Sequence, residues 1–157
     1  LRLQTYGLSW AATGIDQAIP DEYTLRRSDF DEDVSWESFA EPTTLTSDDL
    51  AFDVLAAGIE RAGDVPGVAI TIINEPTFIS DGVNSDVRYS AFYPRWAYDQ
   101  YRDLLAEQAD ANGWRYADWW DRIGGDEFTD SPVHLTPAGS RLLSDWLGET
   151  IAAVSSE

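Results

Sequence analysis

Residues 67–73 read GVAITII, and this run decides the fold class. It is continuously apolar, rich in β-branched side chains, and bounded by glycine on one side and the Asn74-Glu75-Pro76 turn signal on the other. Alternation of apolar and polar residues is missing. A strand with this pattern is covered on both faces, which is the situation in a parallel sheet. Upstream, Ser47 reads as a helix N-cap, with Asp48 and Asp49 in the first turn. Leu50, Val54, Leu55 and Ile59 follow at helical spacing, and Gly63 closes the pattern. Downstream, a loop over 74–93 leads to Pro94, which suits a helix start. Trp96, Tyr101, Leu104 and Leu105 make the apolar stripe of that helix, and Asn112-Gly113 is its stop. WRYADWW, residues 114–120, predicts a second strand. After a loop containing Gly124-Gly125, Thr136 caps a last helix with Pro137 at its first position. Leu142, Leu143, Trp146, Leu147 and Ile151 form its apolar face.

Further out, LRLQTYGLSW (residues 1–10) reads as a strand running into a loop. Residues 16–46 are the least periodic part, an irregular excursion pinned to the body by Trp36 and Phe39. Strands alternating with helices predict one α/β domain over residues 1–157 built on a parallel sheet. Ligands of such sheets sit beyond the carboxyl ends of the strands. The segments after Tyr6, Ile73 and Trp120 all fall on that edge.

Composition removes several classes of function. The 157 residues carry 29 acidic and 10 basic side chains, a formal charge of −19. Every basic residue is arginine. Phosphate backbones and anionic membrane surfaces need clustered cations, so neither nucleic acid nor a membrane surface is an expected partner. There is no cysteine, hence no disulfide, zinc-thiolate site or thiol nucleophile. No apolar run is long enough to span a bilayer. The acidity has two readings, adaptation to high salt and an ordinary acidic protein in which arginine has displaced lysine. The chain starts at Leu1 and lacks methionine, which gives the expectation that it is a piece of something longer.

His134 is the single histidine. It lies in DSPVHLTPAG, just before the last helix, and imidazole is the side chain best suited to proton transfer near neutral pH. Asp130, four residues earlier, is placed to hold the ring and stabilise its charged form. The bland alternative is a histidine that only packs at a helix start. A second cluster follows the first strand. Asn74 and Glu75 fall at its end, Arg88 and Arg95 are placed to hold a carboxylate or a sugar, and Phe92, Tyr93 and Trp96 to stack on a ring. Asparagine as a turn residue and arginines paired with nearby acids is the competing structural reading. Asp81, Asn84 and Asp86 offer oxygen ligands, but their spacing lacks the EF-hand pattern, and no metal or cofactor is expected.

TDSPVHLTPAGSRLL, residues 129–143, resembles the last block of the SGNH (GDSL-like) hydrolases. There an Asp-x-x-His loop before the C-terminal helix supplies two members of a catalytic triad. VAITIINEP and WRYADWW are similar to the last two strands of that family, so the resemblance covers about residues 64–153. It implies a three-layer α/β/α flavodoxin-like fold and a serine ester hydrolase acting on a small-molecule or carbohydrate ester, such as a sugar acetate. It assigns general base and acid to His134 and the orienting role to Asp130. The spacing departs from the family: Ser131 stands three residues before the histidine, and the aspartate four. Either the loop bulges around Pro132 and Asp130 serves, or the site is a dyad.

The family's Gly-Asp-Ser nucleophile motif and its Gly-x-Asn-Asp block are not recognisable. Ser9, Ser80, Ser85, Ser90 and Ser131 are candidates by type only, since none sits in a Gly-x-Ser-x-Gly turn. The expectation is therefore a C-terminal portion lacking its N-terminal strands, with the serine on residues outside this chain or on a separate polypeptide. Such a fragment would expose a sheet edge near Leu1, Leu3 and Leu8. An acyltransferase on the same scaffold and a non-catalytic binding or structural module are the alternatives.

Overall fold

A computed structural model describes residues 43–90 and 93–155. The expected N-terminal strand, its raw edge near Leu1, Leu3 and Leu8, the serine at position 9, and the part of the excursion holding Trp36 and Phe39 lie outside the described residues, as does Phe92. The described residues form an α/β unit of three α-helices, two strands and two single 3-10 turns. The order is α1 (Phe52–Gly63), β1 (Thr71–Asn74), α2 (Arg95–Asn112), β2 (Arg115–Asp118) and α3 (Pro137–Val154). Strands β1 and β2 are parallel, pairing Thr71 with Arg115 through Asn74 with Asp118. Parallel pairing requires a crossover, and α2 provides it.

The apolar run 67–73 does form a strand, but later and less covered than its composition predicts. Gly67 adopts φ +77°, and Val68 N–H donates to Val65 O at 3.2 Å. Beyond that turn, pairing begins only at Thr71, opposite Arg115 at the start of β2. Thr71, Ile72 and Ile73 are half-buried among the described residues. The first helix also starts late. Ser47–Asp49 is a 3-10 turn, closed by Asp49, whose carboxylate accepts from Thr46 N and Oγ1 at 2.8 Å each. The α-helix begins only at Phe52, so Thr46 and not Ser47 marks the start of ordered turns.

Helix α2 follows Pro94 and ends at Gly113, whose φ of +65° is the left-handed stop conformation. Its buried residues are Tyr98, Leu105 and Ala109; of the expected stripe only Leu105 is among them, while Trp96, Tyr101 and Leu104 are half-buried. Tyr98 packs against Trp120 (5.9 Å between ring centroids), and Tyr89 lies 4.7 Å from Trp120. Helix α3 has the expected cap, with Thr136 Oγ1 accepting from Gly139 N at 3.0 Å and Pro137 in the first turn. Its apolar face is incompletely covered: Ile151 is 65% and Leu142 43% exposed. The described sheet is only two strands wide, too narrow to cover an 18-residue helix. What docks α3 is a stack at its middle, where Trp146 meets Trp119 at 6.0 Å and Arg122 lies over both rings. No helix among the described residues is long and apolar enough to cross a membrane.

Candidate active site at the strand ends

The register puts Asn74 opposite Asp118 at the carboxyl ends of both strands. Asn74 Nδ2 donates to Asp118 Oδ1 at 2.9 Å, and Tyr98 OH donates to Asn74 Oδ1 at 3.3 Å. Asp118 Oδ2 accepts from Arg102 Nε (2.9 Å) and Nη2 (2.7 Å). The Arg102 guanidinium lies 4.0 Å from the centroid of Trp120. This chain of contacts locks both strand ends to α2 and fixes where the following loops leave the sheet. Burial raises the Tyr98 hydroxyl well above the usual phenol range, so it remains a donor.

From that platform the backbone clamps two loops together. Trp119 N donates to Asn74 O (3.0 Å) and Thr77 N to Trp120 O (2.9 Å). Phe78 N and Thr77 Oγ1 both donate to Pro132 O, at 2.7 and 3.2 Å. Pro132 is fully buried, so the loop carrying His134 is held from beneath by the segment that follows β1.

The loop also closes on itself. Phe128 and Leu135 form an antiparallel bridge, Thr129 N donates to His134 O (2.9 Å), and Thr136 N donates to Glu127 O (2.8 Å). Inside this frame His134 N donates to Ser131 O at 3.2 Å, making a tight turn with Pro132 at its second position. The turn absorbs the extra residue between aspartate and histidine. Asp130 Oδ1 sits 3.0 Å from His134 Nδ1, while Ser131 Oγ accepts from Val133 N at 3.3 Å. A carboxylate can only accept, so Nδ1 carries the proton and Nε2 keeps its lone pair. The His134 ring, and then the Thr129 hydroxyl, hold the Asp130 carboxyl below its usual range. The two side chains are 64% and 51% exposed, so the contact does little for stability. It orients the ring.

A cavity of about 590 Å³ lies beside this loop. Val133, the neighbour of His134, and Thr77, which grips the loop, belong to its lining. Pro94, Ala97, Tyr98 and Tyr101, spaced three and four apart on α2 and its cap, form one wall. Leu45, Leu50, Ile73 and Tyr93 add apolar surface, and Asn74 and Glu75 complete it.

Two of the four expected binding residues reach the cavity and two do not. Asn74 lines it, but its amide is tied at both ends, so its present role is to couple the strands. Glu75 lines it and is exposed. Arg88 is fully buried in the 80–95 loop, bridged through its backbone to Pro94. Arg95 directs Nε at Ser85 O, and its guanidinium lies 4.3 Å from the Tyr89 centroid. Trp96 is not in the lining and Tyr93 is. Asn84 and Asp86 fall on a run of turns over 83–87, Asp81 precedes it, and among the described residues no three His, Cys, Asp or Glu converge. None of Ser80, Ser85, Ser90 and Ser131 binds the His134 ring, whose one hydrogen-bond partner among the described residues is Asp130.

Sequence reading missed three supports. Thr77 carries no signal of its own. Thr129 shows itself only through the loop that folds over it. Glu127 caps α3 across nine residues: its carboxylate accepts from Thr136 Oγ1 and, at 3.0 Å, from Gly139 N. No protein-family model matches the chain, and neither curated proteins nor solved structures include a significant match.

Proposed function

We propose that this chain supplies the histidine and aspartate of an SGNH-type serine ester hydrolase, on a flavodoxin-like sheet completed by strands from outside the described residues. The observation that carries this reading is the carboxylate of Asp130 on Nδ1 of His134, in a clamped loop following the carboxyl end of β2. In the complete site His134 Nε2 takes the proton of a serine hydroxyl as its oxygen attacks the ester carbonyl. Backbone N–H groups stabilise the tetrahedral oxyanion. His134 returns the proton to the leaving alcohol, and a water, activated by the same nitrogen, hydrolyses the acyl-enzyme. Asp130 keeps the ring in the productive tautomer and stabilises the imidazolium formed in each half-reaction.

The serine belongs to a Gly-Asp-Ser segment outside this chain. A fluorophosphonate probe, which bonds only to activated serines, tests this. It labels no serine within residues 1–157 of the isolated chain. With the Gly-Asp-Ser segment present, in cis or as a second polypeptide, it labels that serine, and His134→Ala abolishes labelling. Labelling that survives His134→Ala, or labelling of a serine inside the isolated chain, contradicts the proposal.

A further inference from the structure

The charges at the cavity are the reverse of what the arginines of the 74–96 segment suggest. Arg88 and Arg95 are held elsewhere, and Glu75 is the one charged side chain in the described lining. Glu75 takes part in no hydrogen bond or ion pair among the described residues. Beside it Tyr93, Tyr98 and Tyr101 form a continuous aromatic surface, with centroid separations of 5.0 Å and 5.8 Å.

We propose that this cavity binds an organic cation, a ligand whose apolar body carries an ammonium group set against Glu75 and the tyrosine rings. The proposal rests on the hydrolase reading in one respect only, that such a ligand is then the acyl or alcohol part of the ester substrate. Aromatic faces are electronegative and attract ammonium groups, most strongly where water is partly excluded. Burial raises the Tyr93 and Tyr101 hydroxyls, so the rings stay neutral and the carboxylate supplies the full charge. A volume of about 590 Å³ accommodates a ligand of metabolite size. An anion meets Glu75 with no arginine in the described lining to offset it.

Choline, its neutral isostere 3,3-dimethyl-1-butanol and the anion 3,3-dimethylbutanoate separate the terms. Affinities are read on the 157-residue chain at physiological salt by amide chemical-shift titration of residues 73–77 and 97–101. Choline binds about tenfold more tightly than the isostere, and the anion does not bind. Glu75→Gln removes most of the preference, Tyr101→Leu weakens choline more than the isostere, and Glu107→Gln, exposed elsewhere on α2, changes neither. Equal affinity for choline and its isostere overturns the proposal. So does a Glu107→Gln loss as large as that of Glu75→Gln, which signals diffuse attraction to an acidic protein. Binding requires no serine, so these outcomes are independent of whether any ester is cleaved.

Discussion

At His134 the deciding detail is which nitrogen carries the carboxylate. A carboxylate at Nε2 would hold the ring proton on that nitrogen, whereas Asp130 at Nδ1 leaves Nε2 with the lone pair of the neutral ring. Asp130 is held below the ordinary carboxylate range by the ring and by Thr129. A lowered folded-state value means the interaction is complete above the unfolded aspartate value and is lost as pH falls through the folded one. Carboxyl-detected NMR therefore shows Asp130 titrating below a free aspartate, and His134→Ala moves its midpoint upward. An unmoved midpoint contradicts the assigned contact. The residue types of this pair were legible because histidine occurs once. The partner was ambiguous between Asp130 and Ser131 until the Pro132 turn fixed the path of the backbone. The roles of Arg88 and Arg95 were not legible, since charge alone does not say whether a guanidinium faces a ligand or the inside of its own loop.

Among the elements, α3 depends on its first turn. A Cβ at Gly139 would stand 2.9 Å from Glu127 Cβ and 3.1 Å from Glu127 O. Replacing an interior helical glycine by alanine normally stabilises by about 0.5–1 kcal/mol. Here the clash reverses the sign, and Gly139→Ala costs about 1–3 kcal/mol in urea unfolding, as overpacked sites do. A stabilised variant would contradict the capping geometry. Removing the carboxylate that joins Arg102 to Asn74 leaves two partly buried partners unmatched, so Asp118→Ala costs about 2–3 kcal/mol by the same measurement. A change within error would show that the strand ends are held by packing alone. Existence and order of these elements could be read from periodicity, capping residues and the two stop glycines. Their edges could not. Strand β1 starts where its partner β2 starts, at the Thr71–Arg115 pair, and the Thr46–Asp49 contacts hold a 3-10 turn ahead of α1; hydrophobic pattern encodes neither. The clamp of Thr77 and Phe78 on Pro132 joins segments 55 and 54 residues apart, beyond any local signal.

The whole chain has a formal net charge of −19, and few of its acids are in ion pairs among the described residues. Raising salt shortens the screening length from about 10 Å at 0.1 M to about 3 Å at 1 M, which relieves self-repulsion. The partly buried Arg102–Asp118 pair is screened far less. Thermal unfolding therefore shifts to higher temperature as NaCl is added over that range, and a falling Tm contradicts this balance of charge. The parallel sheet and the position of the loop at its carboxyl edge were legible from the alternation of strands and helices. The cavity was legible only at Asn74, Glu75 and Tyr93, because the rest of its wall comes from side chains of α2 and the His134 loop brought together by the fold. The role proposed for His134, oriented by Asp130, is general base for a nucleophilic serine from a Gly-Asp-Ser segment. The most direct measurement is p-nitrophenyl acetate hydrolysis by the 157-residue chain alone and with the Gly-Asp-Ser segment, each with and without His134→Ala. The chain alone shows background rates, the segment brings robust turnover, and His134→Ala abolishes that turnover. Turnover by the isolated chain that His134→Ala abolishes, or turnover of the complete site that it leaves intact, would contradict the proposed role.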